Sequence, residues 1–216
     1  ISKELSNLES IRSSVDTFSI DAKKAIGFYT GLNSNLLSFI GLTSTIADSE
    51  AIIKSSVAYY NFLMMKERVG IERAIGANTF ATKTFTPEMF QKFVSLVSEQ
   101  NIFIENFYIY SKANNKELFN QKIQSPIFSE VEKMRAVLLS YGQNKDVSFD
   151  ISPTVWFEKV TQKIGVLKEI DDVLSLDLVS QVENNISSEK TFITIMLCIN
   201  VMIWFLCVFF VRFFNA

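Results

Sequence analysis

Histidine is absent from this 216-residue chain, and its two cysteines, Cys198 and Cys207, both lie close to the C terminus. Without histidine the chain lacks the commonest general base and the commonest metal ligand. The part before Cys198 has no thiol, so neither a disulfide framework nor a cysteine metal site is expected there. Glycine-rich phosphate loops and paired carboxylates of recognisable spacing are also missing. We therefore expect a protein that is not an enzyme and carries no metal or cofactor.

Helix breakers are scarce as well, with three prolines and seven glycines, and no short alternating strand pattern recurs. This composition is typical of long helices, and we predict an all-α protein. The formal net charge is −2, and acidic and basic residues are interspersed. Because no basic patch is evident, binding to nucleic acid is not expected.

One long apolar stretch, from Phe192 to Val211, contains Asn200 as its only strongly polar residue. About 20 residues at ~1.5 Å each are enough to cross a bilayer core of ~30 Å. We predict a transmembrane helix over 191–212, with 213–216 beginning a cytoplasmic segment. One flanking Lys190 and one flanking Arg212 leave its orientation open. The chain starts without Met and ends soon after this stretch, so we expect a piece of a longer protein whose output module is absent.

Apolar residues spaced three and four apart predict a series of helices before the membrane stretch. The first is expected to be one long helix, and Pro, Ser or Thr residues mark the starts of several later ones. The predicted helices cover Ile1 to about Ala47, about Ser49 to Ala81, Pro87 to Lys112, Asn114 to Lys122, Pro126 to Gly142, and Pro153 toward Lys190.

The second predicted helix carries an unusual run of charges from Lys66 to Ala81. Helical spacing places Glu67 on an apolar seam and Arg73 on the stripe beside it. An inward charge is costly unless it is paired or bound to a ligand. Intramolecular ion pairs, long side chains that reach water, and a ligand site all account for such a pattern. The seam consists of Leu63, Gly70, Ala74, Ala77 and Ala81, and the stripe of Phe62, Val69, Gly76 and Phe80.

Several short patterns occur in a fixed order along the chain. The central one is K-E-x-x-G-x-E-R-A, which begins at Lys66. The whole set resembles the NIT family, the nitrate- and nitrite-sensing domains of bacterial signalling proteins, and covers nearly all of the chain before the membrane stretch. The other members are L-x-x-I-R-x-x-V-D at Leu8–Asp16, Y-x-x-L-x-x-x-L-L at Tyr29–Leu37, Gln100, M-R-A-V-L at Met134–Leu138 and W-F-x-x-x-T-x-x-I-x-x-L at Trp156–Leu167.

This resemblance implies two stacked antiparallel helical bundles that share long helices, over 1–190, followed by the transmembrane helix. It implies an extracytoplasmic sensor region in a bacterial inner-membrane receptor, expected to be a homodimer. A methyl-accepting chemotaxis protein is the expected parent, although histidine kinases and cyclic-dinucleotide enzymes carry such ectodomains too. Binding of nitrate, nitrite or a related small anion would shift the helix packing and pass a displacement through the membrane.

Arginine suits such a ligand, because its flat guanidinium offers several N–H donors to a planar anion. The chain has 16 lysines but five arginines. Arg12, Arg73 and Arg135 each lie beside an apolar seam of a different predicted helix, and we predict that these three bind the anion. Arg68 has similar apolar neighbours but ranks lower, because the family pattern places its arginine at position 73.

Two alternatives stay open at this stage. The arginines could instead form structural ion pairs, Arg12 with Asp16, Arg73 with Glu67 or a neighbouring carboxylate, and Arg135 with Glu132. The whole chain could also be a membrane-anchored interaction or dimerisation module without a small-molecule ligand, because bundle seams alone would look the same.

Overall fold

The computed structural model describes the backbone of residues 2–214, and their side chains except at 3, 22, 23, 26, 43, 44, 46 and 206–214. All regular elements in this described part are helices, which confirms the all-α prediction. The helices are α1 (Ser2–Asp16), α2 (Ala22–Ile46), α3 (Glu50–Thr82), α4 (Pro87–Tyr110), α5 (Ala113–Lys122), α6 (Pro126–Ser140) and α7 (Pro153–Phe214).

The prediction of one long N-terminal helix was wrong, because α1 and α2 are separated at residues 17–21. Phe18 adopts a left-handed backbone with φ 54°, and the amide of Ser19 donates to the carbonyl of Ser14 at 2.9 Å. This is the Schellman pattern that ends a helix. Asp21 then caps the start of α2, because its carboxylate accepts a hydrogen bond from the amide of Lys24 at 3.2 Å. Short polar side chains that bond to nearby backbone groups thus override the apolar spacing.

The start of α4 follows the predicted capping pattern. The hydroxyl of Thr86 accepts a hydrogen bond from the amide of Met89 at 3.3 Å, and Pro87 occupies the first turn. Proline suits this position because the amide it lacks would have no partner inside the helix. The cap turns the chain sharply, so that α4 packs back along α3.

The chain divides into two compact units, Ile1–Ser175 and Leu176–Ala216. In the first unit, α3 connects two clusters of aromatic side chains, and the arrangement is consistent with two stacked bundles. One cluster surrounds Phe62 and the other surrounds Phe80 and Trp156. At ~1.5 Å per residue, the two clusters are separated by roughly 27 Å along α3. Their other members are Phe107, Tyr108 and Phe119 in the first, and Phe85, Phe90, Phe93, Tyr141 and Phe149 in the second.

The second unit is the C-terminal part of α7. Large apolar side chains are exposed on every side of it from Phe192 to Phe205. Within the described residues, α7 is the one helix long and apolar enough to cross a membrane. The transmembrane prediction over 191–212 rests on this length and composition.

Trp156 fixes the start of α7 against α3. Its indole N–H donates to the carbonyl of Arg73 at 2.9 Å, and its ring lies directly over Gly76. A Cβ atom at Gly76 would lie 2.4 Å from the Trp156 ring, whereas a Cβ at Gly70 would meet nothing within 4 Å. Trp156 is therefore a core residue, and Gly76 is the residue that lets it approach α3.

Alanine substitutions at these two glycines should have opposite effects. We expect Gly76→Ala to lower the free energy of unfolding by about 1–3 kcal/mol, because a fully buried indole would have to move. Gly70→Ala should raise it by roughly 0.5–1 kcal/mol through its higher helix propensity. Urea unfolding followed by circular dichroism measures both, and equal effects would contradict the close approach of Trp156 to α3.

Candidate anion-binding site

A buried ion pair lies between the two aromatic clusters. Glu72 of α3 is 0% exposed, and Arg135 reaches it from α6. The Nε of Arg135 donates to Oε1 of Glu72 at 2.6 Å, and Nη2 donates to Oε2 at 2.7 Å. This two-point geometry is the strongest form of an arginine–carboxylate contact. It joins α3 to α6 in the interior.

Gln100 of α4 forms hydrogen bonds with both members of this ion pair. Its Nε2 donates to Oε2 of Glu72 at 2.8 Å, and its Oε1 accepts from Nη2 of Arg135 at 3.0 Å. The amide thus forms a hydrogen bond with each member of the ion pair, and α3, α4 and α6 are joined in one network. Nη1 of Arg135 also donates to Glu132 at 2.8 Å, but the Glu132 side chain is 61% exposed.

The pKa of Arg135 reflects this environment. Burial alone would lower it, but the hydrogen bonds and charge of Glu72, helped by Glu132, raise the pKa of Arg135 above its usual value. The guanidinium is therefore permanently charged and already neutralised by carboxylates. The predicted pairing of Arg135 with Glu132 is confirmed, and Glu72 is an additional partner.

Lys163 of α7 lies close to this network but has no such partner. It is 7% exposed, and with the residues that the structure describes it forms neither an ion pair nor a hydrogen bond. Its Nζ lies 5.5 Å from the ring centroid of Phe128. Burial, and then repulsion from Arg135, lower the pKa of Lys163 to about 8, although Glu72 and Glu132 act in the opposite direction. Lys163 is thus a buried cation with incomplete compensation.

A cavity of about 490 Å³ opens beside Lys163 and Arg135. The hydrogen-bonded group of Gln100, Glu132 and Arg135, together with the nearby Lys163, forms what we call its polar end, and most of the other lining residues are apolar. The polar lining comes from Gln100, Asn101, Ser129, Glu132, Arg135 and Lys163, and the rest from Met65, Ile104, Tyr108, Phe119, Ile123, Phe128 and Leu167.

Arg73 follows Glu72 in α3 but contacts α7 instead of α6. Its guanidinium carbon lies 4.5 Å from the ring centroid of Phe157, and Nη1 donates to the hydroxyl of Thr161 at 2.8 Å. Its Nε is buried and has no acceptor among the residues that the structure describes, and burial lowers the pKa of Arg73. Phe157 is 46% exposed, so it covers the arginine from solvent instead of filling the core.

The three predicted arginines have separate surroundings. Arg12 is exposed on α1, whereas Arg73 bridges α3 to α7 and Arg135 belongs to the buried network. Among the three, only Arg135 lines the cavity beside Lys163. Arg68, the lower-ranked candidate, pairs with Glu99 of α4 at 2.5 Å. Joint anion binding by Arg12, Arg73 and Arg135 stays a prediction.

Comparison with protein families gives a match over residues 1–179 to the family model described as NIT, nitrate and nitrite sensing. The chain belongs to the NIT family. The resemblance drawn from the short sequence patterns is thereby confirmed.

Two relatives match most of this chain and about half of their own length. It is 27% identical over 186 residues to a nitrate regulatory protein of Klebsiella oxytoca, a match that covers 86% of this chain and 46% of the relative. The structure of the NasR transcription antiterminator is similar with a TM-score of 0.71 and 25% identity, over 84% of this chain and 48% of the other. The NIT chain spans about half the length of these relatives.

Several charged residues of this NIT domain are placed differently from their sequence-based interpretation. Glu67 accepts a hydrogen bond from Asn33 of α2 at 3.3 Å, and Arg73 contacts Thr161 instead of a carboxylate. Asp171 is buried and accepts from the hydroxyl of Tyr59 at 2.8 Å and from Lys66. Burial, and then this bond to Asp171, raise the pKa of Tyr59.

The burial of Lys163 and of Glu72 was not predicted from the sequence, although the spacing of the apolar residues around each one indicates a buried position. Glu72 lies in a row of buried residues spaced three and four apart along α3, and Lys163 lies in a similar row along α7. Each charge therefore replaces an apolar residue at a core position. The two rows are Met65, Val69, Glu72, Gly76 and Thr79, and Val160, Lys163, Leu167, Ile170 and Leu174.

Removing the carboxylate of Glu72 should destabilise the protein far more than removing that of Glu132. We expect Glu72→Gln to cost about 3 kcal/mol of unfolding free energy, because Arg135 would keep a buried, poorly compensated charge. Glu132→Gln, which alters an exposed partner of the same arginine, should cost less than about 1 kcal/mol. Urea unfolding of the two variants provides the comparison. Similar costs would show that Glu72 and Arg135 are not a buried pair.

Lys163 should make stability depend on pH. Its folded pKa of about 8 is below the ordinary value of 10.5, so the cost of its buried charge is present in full below pH 8 and disappears toward pH 10.5. We expect Lys163→Met to raise the unfolding free energy at pH 7 by up to about 3 kcal/mol. This gain should shrink between pH 8 and 10.5. A gain that does not change with pH would contradict a charged, buried Lys163.

Proposed function

We propose that this chain is the extracytoplasmic sensor of a bacterial transmembrane receptor and binds nitrate or nitrite through arginine side chains. Membership of the NIT family supports the ligand class, as does the similarity to a nitrate regulatory protein. The exposed apolar part of α7 supports the membrane position. The chain spans about half the length of its relatives. We therefore also propose the cytoplasmic output module, and we favour a chemoreceptor as the parent protein.

The proposal rests on the contacts of the Arg73 guanidinium. The guanidinium carbon lies 4.5 Å from the ring centroid of Phe157, and no carboxylate of the described residues pairs with Arg73, so Nε is left without an acceptor. A planar oxyanion requires donors of this kind in one plane. Arg135, in contrast, already donates four hydrogen bonds to protein acceptors. Of the three predicted residues, Arg73 is therefore the best placed to hold an anion directly.

Arg73 also lies where a ligand could act on a signalling helix. Its hydroxyl partner, Thr161, belongs to α7, which is helical from Pro153 to Phe214. An anion bound between α3 and α7 would favour one packing of these two helices over another. We propose that the resulting displacement of α7 passes through the membrane to the output module.

Nitrate titration of the full chain in lipid nanodiscs tests this function, with nitrite and chloride as further ligands. We expect Arg73→Ala to weaken nitrate binding at least tenfold, and Arg73→Lys to restore it only in part, because an ammonium lacks the flat fork. Arg12→Ala tests the third predicted residue. Isothermal titration calorimetry gives each dissociation constant.

Two further variants separate binding from folding. Arg68→Ala removes another arginine of α3 that is paired with Glu99, and nitrate affinity should stay within about threefold of the parent. For Arg135, the double variant Glu72→Met with Arg135→Met keeps the volume while removing both charges, which preserves the fold better than Arg135→Ala. Parent protein that binds neither nitrate nor nitrite would support an interaction module and refute the proposal.

A further inference from the structure

The cavity beside Lys163 has a chemistry that nitrate binding does not explain. About 490 Å³ lies within the range of pockets that hold organic ligands, which is roughly 300–1,000 Å³. A water molecule takes about 30 Å³, and a four-atom oxyanion needs only a small multiple of that. Most of the wall beyond the polar end is apolar, including Ile104, Phe119 and Phe128. Such a wall suits a ligand with an apolar body.

The polar end offers one uncompensated positive charge. Glu72 is fully engaged by Arg135 and Gln100, and the exposed carboxylate of Glu132 is screened by solvent. Lys163 is more than nine-tenths buried, lines the cavity, and has no ion-pair or hydrogen-bond partner in the described part of the chain. A buried ammonium without a counter-ion is costly, and an anionic ligand removes that cost.

We propose that this cavity binds an organic monocarboxylate, whose carboxylate pairs with Lys163 and whose apolar body lies against Ile104, Phe119 and Phe128. Asn101, which also lines the cavity, would supply an amide donor for the second carboxylate oxygen. The site is distinct from the contacts of Arg73, which does not line the cavity. It therefore does not depend on nitrate binding.

The charged groups around Lys163 determine how binding responds to pH. Glu72 faces it from α3, Tyr108 lines the cavity from α4, and Glu132 and Arg135 face it from α6. Burial raises the pKa of Tyr108, so it stays neutral up to at least its ordinary range. Because Lys163 has a pKa of about 8, it is mostly protonated at pH 7. Carboxylate affinity should then fall between pH 7 and 9.5, as Lys163 loses its proton.

The test uses benzoate as the probe, titrated into the full chain in lipid nanodiscs, with empty nanodiscs as the blank. Benzamide has the same shape without the charge, and acetate has the charge without the apolar body. We expect benzoate to bind at least tenfold more tightly than either. Lys163→Met should reduce benzoate affinity at least tenfold. Lys168→Met, which removes an exposed lysine of the same helix, should change it less than twofold.

A second variant tests the cavity without altering any charge. Ile104→Trp narrows the space and should also reduce benzoate affinity at least tenfold, while Lys163 remains intact. Benzoate binding that is unchanged in both Lys163→Met and Ile104→Trp would overturn the inference. The inference would also be overturned if Lys163→Met weakened nitrate binding but left benzoate binding unchanged.

The outcomes separate this inference from the nitrate proposal. Benzoate binding that is lost in Lys163→Met but kept in Arg73→Ala supports the cavity site, whether or not nitrate binds. Nitrate binding that is lost in Arg73→Ala, together with no benzoate binding, supports the nitrate proposal and refutes the cavity site.

Discussion

The first unit depends on one buried ion pair. Glu72 and Arg135 lie between two aromatic clusters, where both side chains are buried, and each needs the other for its electrostatic balance. Gln100 adds hydrogen bonds to both. Since the three residues come from α3, α6 and α4, the network allows few alternative placements of these helices. A purely apolar core would tolerate more slippage between neighbours.

The aromatic clusters on either side make this arrangement rigid. Phe62 and its neighbours fill one end, and Phe80 with Trp156 fills the other. The close approach of Trp156 to Gly76 places the start of α7 directly against α3. The functional side chains therefore project from a framework that is packed at both ends, which is what a binding site needs to keep its geometry.

The cations near this framework differ in how far they are compensated, and this difference guides their functional interpretation. Arg135 already donates its hydrogen bonds to two carboxylates and an amide. Arg73 and Lys163 are both partly desolvated without a carboxylate at hydrogen-bonding distance in the described structure. The first offers a flat fork near α7, and the second offers a point charge at the end of an apolar cavity. These are the two positions at which we propose that this NIT domain binds anions.

The sequence by itself determined the helical class, the family and the apolar C-terminal stretch. These follow from local composition, from the order of short patterns, and from the length of one apolar run. The sequence also contained the inward position of Glu72 and Lys163, as charges at core spacing, but not the partner of either. The break at Phe18 was missed because it depends on side-chain bonds to the backbone that apolar spacing does not reveal.

Only the tertiary structure decided which charges meet. Glu72 and Arg135 are 63 positions apart, and Asp171 is 105 positions from Lys66. Spacing along a helix places a side chain on a face, but the packing of separate helices determines what lies opposite. For this reason Glu67 and Arg73, neighbours in one motif, contact α2 and α7 respectively. The lack of an ion-pair partner for Lys163 among the described residues is likewise a property of the packed helices, because it depends on the side chains that the four other helices lining its cavity place around it.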